Sequence, residues 1–290
     1  MKMKLAQRLL IGYYTLKIKV IGLISPQQAA KTAFRIFCTP FAAKTKRSPS
    51  QVFQKAEKLF FDLDGMTIRG YRWQPAHRNG KKILLVHGFS SAAYKFEKYV
   101  QLLLKQGFEV VAFDGPAHGS SDGKIINAYI YRNVLLQIES LYGPFDGMMG
   151  HSLGGLAVSL AFENMHDRGK RKLVLVAPAT ETETAIQNFL SIIPVNKKTE
   201  QAFRNLIVDI SGKPISYFSV SRVVQSLVSP VLWVHDRQDT ICPFKDVSPL
   251  LSLNMPHVQF LITENLGHSR VYKDNKVCGE IVSFFGREIS

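Results

Sequence analysis

The chain has 290 residues, with 37 Lys+Arg against 22 Asp+Glu and a formal net charge of +15. Its length allows one large domain or two small ones, and 46% apolar residues against 20% charged residues supply ample core, which excludes wholesale disorder. Three widely spaced cysteines, Cys38, Cys242 and Cys278, with no CxxC pair, exclude a disulfide framework and a structural zinc site and fit a reducing, cytoplasmic compartment.

The charge is unevenly placed. Residues 1–56 hold eleven of the basic residues and no Asp or Glu, so the rest of the chain is only weakly basic. We therefore expect a basic extension over residues 1–57, followed by a globular body over 58–290. In the extension, residues 9–16 form a charge-free run that Lys17 and Lys19 interrupt. That run is too short to span a bilayer, and no clean cleavage site succeeds it, so neither a membrane span nor a secretory signal is expected. Ser25-Pro26 reads as a helix start, and Ala29, Ala33, Phe34, Ile36 and Phe37 form an apolar stripe that Pro40 ends. Such a basic amphipathic helix fits two settings, peripheral contact with an anionic membrane or packing against the body. Residues 41–51 read as a loop.

From Lys58 the pattern becomes regular. Two strands, 59–63 and 66–73, joined at Asp64-Gly65, predict a β-hairpin. A strand over 83–86 ends at His87-Gly88, and helical spacing runs over 94–106. Strand 109–113, helix 129–141, strand 145–149, helix 153–165 and strand 173–177 continue the series. After an interruption come strand 231–234, a helix near 244–253, strand 258–262 and a helix over 277–285. Apolar strands alternating with helices predict an α/β fold, a mostly parallel sheet covered on both faces. The interruption, about residues 180–229, contains helical pieces at 185–193, 200–210 and 221–227 and is long enough for a lid or small cap.

Three stretches carry chemistry. Gly150-His151-Ser152-Leu153-Gly154 falls between a strand and a helix, where its glycines permit a tight turn that lifts the Ser152 hydroxyl above the sheet edge. The helix beyond it directs its first free amides and its dipole at the same point. His235-Asp236-Arg237-Gln238-Asp239 succeeds a strand, and Leu266-Gly267-His268 succeeds the last one. Each lies where a strand ends, which is where open α/β sheets place their sites.

These motifs resemble the α/β-hydrolase superfamily, over about residues 58–290, in the serine order Ser152, Asp239, His268. The resemblance implies Ser152 as nucleophile, His268 as general base and the backbone N–H groups of Phe89 and Leu153 as oxyanion donors. It selects Asp239, four residues before Pro243, as the acid; Asp236 stands where the family commonly has Gly, and Glu181 is the outside candidate. Asp114-Gly115-Pro116-Ala117-His118-Gly119-Ser120-Ser121 is similar to the family's D-x-x-G-H-G-x-S turn, with Ala117 in place of Gly, and implies a structural role. The implied activity is that of a serine hydrolase acting on a small-molecule acyl substrate, a carboxylic ester first, with thioesterase, acyltransferase or peptidase chemistry open. A non-catalytic binding protein on the same fold is the rival class.

No cofactor or metal is expected. The eight histidines show no H-E-x-x-H spacing, and there is no G-x-G-x-x-G turn. Without a reading motif the basic charge gives no support for specific nucleic-acid recognition, and oligomeric state stays open. The apolar residues of the insertion, Phe189, Leu190, Ile192, Ile193, Phe203, Leu206 and Ile207, fit either an acyl pocket or the insertion's own packing.

Overall fold

The computed structural model describes residues 5–40 and 50–289. The loop expected over 41–51 falls mostly outside them. In chain order the structure opens with helices α1 (Leu5–Ile24), α2 (Pro26–Phe37) and the short α3 (Gln51–Gln54), then strands β1 (Glu57–Leu63), β2 (Met66–Trp73) and β3 (Lys82–Val86). Next come α4 (Glu97–Lys105), β4 (Glu109–Phe113), α5 (Ala128–Tyr142), β5 (Gly147–His151), α6 (Leu153–Phe162) and β6 (Lys172–Val176). Helices α7 (Thr182–Ile192), α8 (Lys197–Ser211) and α9 (Val220–Gln225) precede β7 (Val231–Asp236), β8 (Val258–Thr263), α10 (Gly267–Arg270) and α11 (Asn275–Gly286).

The chain divides into two compact units, one of residues 1–39 with 181–218 and one of 40–180 with 219–290. Among the described residues of the larger unit, eight strands form one sheet in the order β1-β2-β4-β3-β5-β6-β7-β8. The β1–β2 and β2–β4 pairs are antiparallel and the remaining pairs parallel. The β1–β2 hairpin turns at Asp64 and Gly65, both at positive φ, as a tight two-residue hairpin requires. Strands β5, β6 and β7 are buried along their whole length, the mark of a parallel sheet with helices on both sides. This is the α/β-hydrolase fold. The helix expected near 244–253 is instead two 3-10 turns, Phe244–Asp246 and Ser248–Ser252. Pro249, with no N–H to donate, falls at the start of the second.

The smaller unit joins two segments that lie far apart in the chain. Ser25 caps α2 by accepting from the Gln28 N–H, with Pro26 in the first helical position, as expected. The stripe on α2 finds its partners within this unit. Phe34 and Phe37 pack edge-on against Phe203 of α8, and Phe37 also meets Phe189 of α7. Phe189 and Phe203 stack on each other, so these insertion aromatics serve the unit's own core. A two-pronged ion pair from Arg204 to Glu183 ties α8 to α7. The insertion proper is narrower than expected, since residues 219–229, including α9, belong to the larger unit.

Candidate active site

The sharp turn from β5 into α6 carries Ser152 at φ 56°, ψ −125°. A non-glycine residue holds that conformation only where its surroundings enforce it. Here the enforcement is visible: the Ser152 N–H donates to Val176 O, and the Ser152 carbonyl accepts from the Gly155 and Ala179 N–H groups. Gly154 lets α6 begin against the end of β3, since a Cβ there would run into the His87 carbonyl oxygen. A Cβ on Gly88 would reach within 2.8 Å of the Ser152 Cβ, which sets the His87-Gly88-Phe89 loop directly beside the serine. The N–H groups of Phe89 and Leu153 have no acceptor among the described residues. Two open amides thus flank Ser152, one from a loop and one from the first turn of a helix.

The loop after β3 is held by the turn beyond β4. Gly115 N–H donates to His87 Nε2, and Ser90 N–H donates to His118 Nε2, at 2.8 and 2.9 Å. Asp114 accepts from the Ala93 and Ser120 N–H groups. His118 is therefore a buttress, in the structural part expected for its motif. Ala117 takes φ 64° at the position where the family motif has Gly.

His268 lies in α10. Its Nδ1 donates to Asp239 Oδ2 at 2.8 Å, which leaves Nε2 as the free basic nitrogen. Asp239 Oδ1 accepts from the Ile241 and Cys242 N–H groups, both at 2.9 Å. Burial pushes the Asp239 carboxyl upward, but the His268 hydrogen bond and charge and these two amides outweigh it and hold Asp239 below the ordinary carboxylate value. Asp236, fully buried, has a different task. It accepts from Thr263 Oγ1 and from the Leu266 and Gln238 N–H groups, pinning the end of β7 to the loop that carries His268. Glu181 opens α7 in the other unit, and the carboxylate that meets His268 is that of Asp239.

Two neighbours of the serine were given no part by the sequence, although His151 lies inside the Gly150–Gly154 motif. The Cys242 Sγ stands 4.0 Å from Ser152 Oγ. Burial and the nearby Asp239 charge push its thiol far up, so it remains protonated. The His151 ring packs 4.8 Å from that of His268, and its Nε2 donates to the His268 carbonyl. Burial first, and the His268 charge second, lower His151 to about 3, so it is neutral at ordinary pH. Residue type alone marks neither part; the folded loops bring Cys242 to Ser152 and His151 to His268. Ser152 Oγ makes no hydrogen bond to His268 among the described residues.

The fold and this cluster at the strand ends define a protein of the α/β-hydrolase class. The chain belongs to the Hydrolase_4 family, described as serine aminopeptidase, S33, which it matches over residues 77–281. It is 22% identical over 244 residues to the uncharacterized protein YqkD of Bacillus subtilis, a match covering 77% of each chain. It is 21% identical over 256 residues to the AB hydrolase superfamily protein YisY of the same organism, covering 71% of this chain and 92% of that one. Among solved structures, the esterase Pf2001 of Pyrococcus furiosus superposes with a TM-score of 0.63 at 19% identity, over 87% of this chain and 100% of that one. Within the described residues no helix is long and apolar enough to cross a membrane.

Proposed function

We propose that this hydrolase cleaves carboxylic esters through an acyl-enzyme intermediate, with Ser152 as nucleophile, His268 as base and Asp239 as acid. The observation that carries the reading is the buried Asp239 carboxylate, hydrogen-bonded to His268 at 2.8 Å beside a serine at positive φ. In this mechanism His268 Nε2 takes the Ser152 proton as Oγ attacks the acyl carbon. Asp239 keeps the imidazole in the required tautomer and stabilises the imidazolium. The amides of Phe89 and Leu153 receive the oxyanion, and one such donor is worth about 3 kcal/mol in the transition state. His268 then returns the proton to the departing alcohol. Water, deprotonated by the same nitrogen, releases the acid. A substrate-induced turn of the Ser152 side chain away from Cys242 completes the serine–histidine hydrogen bond, which is often unformed without substrate. The three buried thiols, none of them in a disulfide among the described residues, fit a cytoplasmic setting.

The family's description as a serine aminopeptidase favours a second reading, amide cleavage on the same machinery. A rate panel separates them: p-nitrophenyl esters of graded acyl length, matching thioesters and aminoacyl p-nitroanilides. Ester turnover well above that of the anilides, lost at least about a thousandfold in Ser152→Ala, is expected. Faster cleavage of the anilides would favour the amide reading, and no turnover by the folded protein would contradict both.

A further inference from the structure

We infer that α1 is a docking helix for an anionic lipid bilayer surface. Helix α1 has two apolar sides. One faces inward: Ile18 and Gly22 are buried, and Gly22 lies so close to α8 and α2 that a Cβ there would stand 3.0 Å from Thr199 Oγ1 and 3.6 Å from Ala29 Cβ. This side ties α1 into the smaller unit. The other faces solvent. Leu5, Leu9, Tyr13, Leu16, Val20 and Leu23 are all at least half exposed, with Leu23 at 84%. Their spacings of four, four, three, four and three residues line them along one edge of a helix. Leu16 and Val20 each stand two positions from Ile18, about 200° around the axis, so the outer stripe is opposite the buried one.

Six large apolar side chains in a row on an exposed helix mark a covered surface rather than scattered exposure. Charge selects what covers it. Arg8 and Lys19 border the stripe on one side and Lys17 on the other, Lys17 lying 5.9 Å from the Tyr13 ring centroid. The first 56 residues contain no acidic group at all. A second copy of the same face would set cation against cation with no carboxylate on α1 to pair with. A bilayer bearing anionic headgroups satisfies both parts: the stripe enters the boundary between headgroups and acyl chains, and the flanking cations meet the phosphates. With its three cations α1 lies along that surface and does not cross it. Docking of this kind concerns binding alone and stands whether or not the ester reading holds.

Co-sedimentation of the full chain with vesicles tests it, using phosphatidylcholine alone and phosphatidylcholine with phosphatidylglycerol. The expected result is binding to the mixed vesicles that weakens as salt rises. The Leu9→Glu/Leu16→Glu/Leu23→Glu variant should lose at least about a hundredfold in partitioning, since each buried leucine contributes about a factor of ten. Its melting temperature should equal that of the parent, because all three side chains face solvent. Arg8→Gln/Lys17→Gln/Lys19→Gln should lose about fivefold for each cation on the mixed vesicles and little on neutral ones. Four results would overturn the inference: a protein that stays in the supernatant with mixed vesicles, equal binding to both compositions, an intact triple-Glu variant that binds like the parent, or a dimer in sedimentation equilibrium that the triple-Glu variant dissolves.

Discussion

Asp236 and Asp239 are three residues apart where β7 runs into its loop, both buried and both held below the ordinary carboxylate value, yet their hydrogen-bond partners set them to different tasks. Asp239 commits one oxygen to His268; Asp236 commits Oδ2 to Thr263 and Leu266, on the approach to His268, and Oδ1 to the Gln238 N–H of its own loop. Replacing each by Asn separates the tasks. Asp239→Asn should lower kcat by about a thousandfold to ten-thousandfold, because an amide no longer holds the required tautomer or stabilises the imidazolium. Asp236→Asn should change kcat by less than about tenfold while costing about 1–3 kcal/mol of stability through its unmatched buried donors. Steady-state rates together with urea melts read both effects, and the reverse ranking in kcat would move the acid to Asp236. The motifs mark a serine, a histidine and a short carboxylate-bearing loop in advance, but the choice between two aspartates depends on which one the loop turns towards His268. The parts of Cys242 and His151 were illegible for the same reason, as the nearness of Cys242 to Ser152 and of His151 to His268 arises from separate strand ends meeting.

Among the elements, the alternating strands and helices were readable because parallel strands buried on both faces leave uninterrupted apolar runs such as 173–176 and 231–234. Helix α1 was not, since apolar residues on two opposite sides blur a single amphipathic period and three cations break each run. The α2 stripe was visible, but its partner was not, because α8 lies about 160 residues away in the chain. Phe203 is the centre of that packing, fully buried and in contact with the rings of Phe34, Phe37 and Phe189. Phe203→Ala should remove about 3–5 kcal/mol of packing. Hydrogen exchange should register it as faster exchange in α2, α7 and α8, with the amides of β3 and β5 still protected. Unchanged exchange in those three helices would mean that the aromatic cluster does not hold the smaller unit together.

Over the molecule as a whole, buried histidines shape the acid side of the stability curve. Burial is the leading cause that lowers His87, His151 and His235. Such a group stays neutral in the folded chain while the unfolded chain takes up a proton near the ordinary value of 6.5. The unfolded state then binds more protons, so stability is full above that value and is lost as pH falls below it towards the folded value, about 3 for His151. Between about pH 7 and about pH 5 His151 alone should cost roughly 2 kcal/mol, measurable as a falling urea midpoint that His151→Asn makes shallower. A midpoint constant across that interval would contradict the neutral burial of these rings. The net charge of +15 bears less on the larger unit than its size suggests, since so much of it lies in the first 56 residues, where α1 and its flanking cations are.

Activation of the serine at the β5–α6 turn can be read by labelling the folded chain with a fluorophosphonate and mapping the adduct by mass spectrometry. One adduct is expected, on Ser152, formed in the parent, absent in Ser152→Ala and strongly slowed in Asp239→Asn. A folded parent that takes no label, or one labelled on a different residue, would contradict a serine-based mechanism at this turn.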